Sequence, residues 1–317
     1  MPYSLDGRLV IAISSRALFD LDKENTLFDK DRDERAYMQY QQDNEEAPLS
    51  PGVSLPFIKR LLALNDLRKG NALVEVVLLS RNDASSGIRI QNSIKHHGLD
   101  ISRMVFTRGA PPFPYLAPLN AVLFLSRHNE DVVMAMQQDL PAGLIVGGPD
   151  QAQEEADGEI RIAFDFDGVV ASDDAERVYS ESKSLSEYFA SEEHKRFEPL
   201  PPGPLKPFLD AIGVIQELEM ERRKNDPSYV PRLRIAIVTA RNAPAHERAI
   251  RTLRSWNVQA HEALFLGRLE KAPFLNVLKP HMFFDDQQIH LDSATRHVAC
   301  VHIPYGIRNK SHVSPKT

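Results

Sequence analysis

Three short apolar runs in the second half of this 317-residue chain each end on a cluster of polar, mostly acidic side chains. That pairing restricts the fold more than any other feature. RIAF at 161–164 runs into Asp165-Phe166-Asp167-Gly168, LRIAIV at 233–238 into Thr239-Ala240-Arg241-Asn242, and MFF at 282–284 into Asp285-Asp286. Unbroken apolar runs of this length suit strands buried on both faces, as in a parallel sheet. Runs at 263–265 and 298–303 read the same way. The segment 245–256 carries Ala249, Ile250, Leu253 and Trp256 at helical spacing, with Asn257 as a stop. Strand, helix, strand in alternation implies right-handed crossovers, and ligands of such sheets gather at the carboxyl ends of the strands. Four carboxylates and a hydroxyl are therefore expected to face one crevice.

Composition narrows the partners. Hydrophobic residues at 42% and charged residues at 26% fit a globular chain with a full core. A net charge of −6 argues against nucleic acid or an anionic membrane surface as the main partner. The single cysteine, Cys300 in VACVHI, allows no internal disulfide or thiolate zinc site and reads as a small buried residue. The eleven histidines show no ligand-like spacing, and the His96-His97 pair reads as a solvated helix end. The first residues do not look like a secretory leader, and no apolar run reaches the roughly 18 residues of a membrane span, so a cytoplasmic protein is expected. The polar, glycine-flanked GPDQAQEEADG at 148–158 has the composition of a linker. It divides an α/β domain at 1–147 from a catalytic α/β domain at 160–308, with the linker at 148–159 and a flexible tail at 309–317.

Acids converging at one sheet edge repel unless a cation is present. Hard oxygen ligands select magnesium, which also bridges to phosphate oxygens. A carboxylate is a competent nucleophile toward phosphorus through an aspartyl-phosphate. A second acid two residues on can protonate the leaving oxygen and then activate water. Asp165 and Asp167 fit these roles. Thr239 can hold the phosphate, and Lys271, between Thr239 and Asp285, can offset the charge. Arg241 and Asn242 follow Thr239 and are candidate substrate contacts.

These four motifs in this order resemble the haloacid dehalogenase (HAD) superfamily. The resemblance implies that magnesium is held by Asp165, by the backbone carbonyl of Asp167 and by one of Asp285 and Asp286, with the choice between the last two left open. A closer resemblance covers nearly the whole chain. ISSRALFDLDKEN, VEVVLLSRND, NSIKHHGLDISR, GPLKPFLDAIG, TLRSWNVQAHEALFLG and KPHMFFDDQ look like the cytosolic 5′-nucleotidase I family. The resemblance implies a HAD-like Rossmannoid parallel sheet with a small helical cap, preceded by a second α/β domain. It also implies magnesium-dependent hydrolysis of nucleoside 5′-monophosphates, AMP prominently. A nucleotide effector and a homo-oligomer are compatible with it. Two alternatives stand beside it: a superfamily phosphatase for another small phosphoester, and a nucleotide-binding regulatory protein without turnover.

About 70 residues separate Gly168 from Thr239, more than a crossover helix needs. A cap over the mouth is expected at about 173–231, with Leu205, Phe208, Leu209, Ile212, Ile215 and Leu218 on one apolar helix face. Lys206, just after the proline-rich hinge, is preferred over Tyr188 as a nucleotide contact from this cap. Finally, residues 93–132 shifted by 159 fall without gaps on 252–291, matching Phe106 to Phe265, Pro114 to Pro273, Leu116 to Leu275 and Phe124 to Phe283. Arg81-Asn82 matches Arg241-Asn242 at a shift of 160, and Ile11-Ala12 matches Ile162-Ala163 at 151. The simplest account is a duplicated unit whose first copy has lost its chemistry. Ser14 and Arg16 then replace Asp165 and Asp167, while Ser126 and Arg127 replace Asp285 and Asp286. In that reading Arg16, Arg81 and Arg127 are candidates to bind substrate or a regulatory nucleotide.

Overall fold

The computed structural model describes residues 3–22, 34–149 and 157–312. Most of the linker expected at 148–159 and the last residues of the tail expected at 309–317 lie outside the described residues. The first half supplies strands Leu9–Ile13 (β1), Phe19–Asp20 (β2), Ser50–Pro51 (β3), Val74–Ser80 (β4), Arg103–Phe106 (β5), Leu123–Ser126 (β6) and Ala142–Gly147 (β7). The second supplies Ile160–Phe164 (β8), Leu233–Thr239 (β9), Glu262–Phe265 (β10), Met282–Asp285 (β11) and Cys300–His302 (β12). Every apolar run singled out in the second half is a strand, with no end moved by more than two residues.

Ten of these strands form one sheet in the order β10-β9-β8-β11-β12-β7-β6-β1-β4-β5, and β2 pairs with β3 separately. Inside the ten-stranded sheet every pairing within one half is parallel. In that sheet β7 and β12 meet antiparallel, with a register shift between Cys300 and Val301. The order therefore repeats about this seam: β8 lies between β9 and β11 as β1 lies between β4 and β6. At the seam the Val301 side chain packs onto the Gly143 backbone. A Cβ on Gly143 would sit 2.3 Å from Val301 Cγ1, so a larger residue would have to displace that side chain.

Alternation along each strand divides the apolar residues between the two faces. On one face a single core crosses the seam and joins Ile11, Ile13 and Leu78 to Ile162, Phe164 and Phe284. On the other face each half has its own cluster, with Val10, Ala12 and Phe124 in one and Ala163, Val238 and Phe283 in the other. The two halves thus share one sheet and one core, a closer union than two domains joined by a linker. No helix among the described residues is long and apolar enough to cross a membrane.

The helix Lys206–Asn225 corrects one expectation. Its apolar face, with Phe208, Leu209, Ile212 and Ile215, is buried in the sheet core and does not roof the crevice. The Phe208 ring lies 6.0 Å from that of Phe164 and 5.9 Å from that of Phe284. The apolar stripe lies on one helix face as its spacing predicts, but periodicity alone does not say which surface a helix covers. Helices Asp174–Ser182 and Leu185–His194, with much shorter apolar content, are the ones at the mouth.

Phe208→Ala is expected to cost about 3–5 kcal/mol of stability in chemical denaturation, because the aromatic cluster cannot collapse to fill the void. Ile289→Ala, at a position 74% exposed, is expected to change stability by no more than about 0.5 kcal/mol.

Candidate active site

The strand ends β8, β9 and β11 bring the predicted side chains to one crevice. Asp165 leaves β8 with its N–H bonded to Phe284 O of β11 at 2.8 Å, which locks the two acid-bearing ends together. Lys271, at the N-cap of the helix Ala272–Leu278, is buried between them. Its Nζ lies 3.0 Å from Asp165 Oδ1 and donates to Asp285 Oδ2 at 2.7 Å. Burial by itself would lower the lysine pKa, but Asp165 and Asp285 more than offset this and hold it above the ordinary range. Burial pushes Asp165 up to about 7; Lys271 opposes this, and Asp285 and Asp167 add to it.

The adjacent acids Asp285 and Asp286 differ sharply. Asp285 is fully engaged: Oδ1 accepts from Gln287 N at 2.8 Å, Oδ2 from Lys271, and His290 Nδ1 lies 3.1 Å away. Both carboxylate oxygens of Asp286 are buried and have no hydrogen-bond partner among the described residues. Burial first, then Asp285 and Asp165, raise its carboxyl well above the ordinary range. Its main-chain carbonyl accepts from His302 Nε2 at 3.0 Å and Asn309 Nδ2 at 2.9 Å, which holds the turn in place. Gly168 has a positive φ of 73°, and a Cβ there would sit 2.8 Å from Asp286 Cγ. The glycine that closes the first motif is what lets the last motif approach it.

Buried acid oxygens without donors fit a hard cation, since such a charge is costly unless paired. Asp165, Asp285 and His290 also offer ligand atoms within 4.8 Å of one another. Lys271 already occupies two of those carboxylates, so the unpaired oxygens of Asp286 are the better match to a cation.

Across the crevice, Asp167 is gripped by Arg241, whose Nε and Nη2 each donate to a carboxylate oxygen at 2.7 Å. The third arm of Arg241, Nη1, donates to Ala245 O at 3.0 Å and to buried Glu192. Glu192 also accepts from Arg248 Nη1 at 2.7 Å. A chain of alternating charge therefore links Asp167 to Glu192 on the helix Leu185–His194. The Thr239 hydroxyl oxygen accepts from Arg241 N at 3.1 Å, which leaves its O–H directed to other acceptors.

Asp165, Asp167, Thr239, Arg241 and Asn242 line a crevice of about 560 Å³. Tyr179, Leu185, Tyr188 and Phe189 from the two mouth helices form its apolar wall. Lys206 is elsewhere: its Nζ bonds Asp210 at 2.5 Å and lies 5.0 Å from the Trp256 ring centroid. The preference for Lys206 over Tyr188 is thus reversed. A helical i, i+4 carboxylate satisfies Lys206, and its helix belongs to the core.

Sequence reasoning missed Glu176, Glu192, His290 and Arg308. Glu176 faces the crevice, with Oε1 accepting from Arg308 Nε at 2.7 Å and Oε2 buried without a partner. No local pattern marks Glu192 or Arg308. His290 follows Asp285 by five residues, and a helix starting at Gln288 offered a weak signal that it turns back toward that acid.

A family model described as 5′-nucleotidase matches residues 1–310. The chain is also 35% identical over 295 residues to the human protein named cytosolic 5′-nucleotidase 1B, which covers 91% of this chain and 47% of that protein. The chain thus spans about half the length of this curated relative. Matching the family model over nearly its full length, the chain belongs to the 5′-nucleotidase family.

Proposed function

We propose that this chain is a magnesium-dependent 5′-nucleotidase that hydrolyses nucleoside 5′-monophosphates, AMP among them, through an aspartyl-phosphate on Asp165. The observation that carries the reading is the charge arrangement at the strand ends. Lys271 clamps Asp165 and Asp285, Asp286 keeps two unpaired oxygens, and Asp167 faces them from Arg241. Asp165, Asp286 and the main-chain carbonyl of Asp167 are the groups that would hold magnesium. When bound, the metal neutralises the converging acids and polarises the phosphate.

The remaining chemistry belongs to the chain. Thr239 donates its O–H to a phosphate oxygen, and Lys271 balances charge beside the nucleophile. An oxygen of Asp165 attacks phosphorus as the bond to the ester oxygen breaks, and Asp167 gives that oxygen a proton. For this step one Asp167 oxygen leaves Arg241 to carry the proton, while the other bond keeps the side chain aimed at the crevice. A water then attacks phosphorus as Asp167 takes its proton, and the Asp165–phosphorus bond breaks to release phosphate. The aromatic wall of Tyr179, Tyr188 and Phe189 favours a nucleoside over a bare sugar, because a base offers a face to stack on.

Phosphate release from nucleoside monophosphates and sugar phosphates, with magnesium and with EDTA, tests the whole reading. AMP turnover in magnesium and none in EDTA is expected; turnover confined to sugar phosphates would reject the nucleotide assignment. Asp165→Asn is expected to abolish turnover without loss of the folded circular dichroism spectrum. Asp167→Asn should lower kcat by about 10²–10⁴-fold. Tyr188→Ala should raise KM for AMP about tenfold through lost stacking and leave KM for ribose 5-phosphate nearly unchanged.

A further inference from the structure

The first half repeats the second element by element. β1 precedes β8 by 151 residues, and the same interval separates the helices Glu34–Asp43 and Leu185–His194. β4, the helix Gly87–His96, β5 and β6 precede β9, the helix His246–Ser255, β10 and β11 by 159. Bonds between distant elements repeat at the same intervals. Arg89 donates to Ala47 O at 3.0 Å and to Gln41 Oε1 at 3.1 Å. Arg248 does the same to Glu198 O at 2.8 Å and Glu192 Oε1 at 2.7 Å. Leu49 N donates to Ser93 Oγ at 2.9 Å as Leu200 N donates to Thr252 Oγ1 at 3.0 Å. Chance apolar matches do not reproduce side-chain bonds across 40 to 60 residues.

These correspondences fix what stands where the proposed catalytic groups stand. Ser14, Arg16, Ser80, Ser126 and Arg127 occupy the places of Asp165, Asp167, Thr239, Asp285 and Asp286. One pairing changes. Ser80 and Thr239 end equivalent strands, and their hydroxyls accept from Asn82 N and Arg241 N, each at 3.1 Å. Asn82 is thus the counterpart of Arg241, and Arg81 falls on Ala240.

The polar frame is kept while its charge is inverted. Arg81 is saturated by Asp131, with bonds of 3.0 and 2.6 Å. Arg16 and Arg127 are not. Among the described residues each forms an ion pair with Asp22 Oδ1 only, at 3.8 Å, and that carboxylate is 61% exposed. Arg16 Nε and His128 Nδ1 are buried without hydrogen-bond partners among the described residues. His128 Nδ1 lies 3.5 Å from Asp131 Oδ2, but Arg81 already holds that oxygen. Burial, then Arg81, lowers the His128 pKa, with Arg16 adding to the effect against Asp131 and Glu130. Arg127 and Asp22 also stand on the wall of a cleft of about 920 Å³ that extends past Gly147 to Arg161 and Arg232, so this arginine borders open space; Arg16 is not on that wall.

We propose that the crevice at the carboxyl ends of β1, β4 and β6 is a second, metal-free binding site for a phosphoryl group, held by Arg16 and Arg127. With two serines and two arginines in place of the four acids, these strand ends cannot hold magnesium, whereas a guanidinium pair matches phosphate oxygens in charge and in fork geometry. The first half is then a copy of the catalytic unit that keeps the phosphate and has dispensed with the metal. This site is independent of turnover in the other half.

The test is calorimetric titration of the full chain with inorganic phosphate in EDTA, where magnesium cannot support binding at the acidic crevice. The wild-type protein is expected to bind, and Arg16→Gln with Arg127→Gln to lose about tenfold or more in affinity. Each single variant, being less disruptive, is expected to lose part of it with an unchanged unfolding midpoint in chloride. Repeating the titration with ribose 5-phosphate shows whether the group is taken up free or on a sugar, by which binds tighter. No binding by the wild type in EDTA, or equal binding by the variants, overturns the proposal.

Discussion

The crevice exists because one buried lysine keeps carboxylates of neighbouring strands from driving them apart. Lys271 sits between Asp165 at the end of β8 and Asp285 at the end of β11, in a place where burial opposes every one of those charges. Removing a partner from such a cluster leaves an uncompensated charge, which costs more than the pair contributes when complete. Lys271 therefore has a structural part as well as a chemical one. It sets how closely β8 and β11 can approach and so where Asp286 and Gly168 meet. The oxygens of Asp286 have no such partner among the described residues, and the demand for a cation is concentrated there.

Much of this was legible in the sequence, and the reasons are physical. Fully buried parallel strands read as unbroken apolar runs, so β8, β9 and β11 announce both themselves and the residues at their carboxyl ends. Asp165, Asp167, Thr239 and Asp285-Asp286 follow directly. What was not legible depends on which way a helix faces. The stripe from Leu205 to Leu218 has the same period whether it covers a core or a mouth, and here it covers the core. The order of Asp285 and Asp286 also needed coordinates, because the pleat decides which of two adjacent acids meets Lys271. Glu192 gave no signal at all, since a buried acid on a polar helix has no pattern until Arg241 and Arg248 are seen around it.

That buried Glu192 ties the mouth helix to the acid opposite the nucleophile. Through Arg241, a shift of the helix Leu185–His194 would pull on Asp167. The same helix carries Tyr188 and Phe189 on the crevice wall. Contact with the non-reacting part of a ligand and the aim of the candidate proton donor are thus joined by two ion pairs. The corresponding link in the first half is neutral, since Gln41 stands in place of Glu192 and Asn82 in place of Arg241, and Asn82 Nδ2 lies 3.3 Å from the Tyr37 hydroxyl.

The antiparallel seam between β7 and β12 has a consequence for how the chain closes its sheet. Repeated units that run parallel inside and meet antiparallel are related by a twofold rotation, the arrangement that isologous homodimers adopt between subunits. This chain carries such an interface covalently, so its two inner strand edges satisfy each other without a partner. The outer edges, β5 and β10, remain. Each places a charge beside its neighbouring strand, Arg103 against Glu75 and Glu262 against Arg234, and such charges discourage further strand addition. The sheet is therefore finished at ten strands from within.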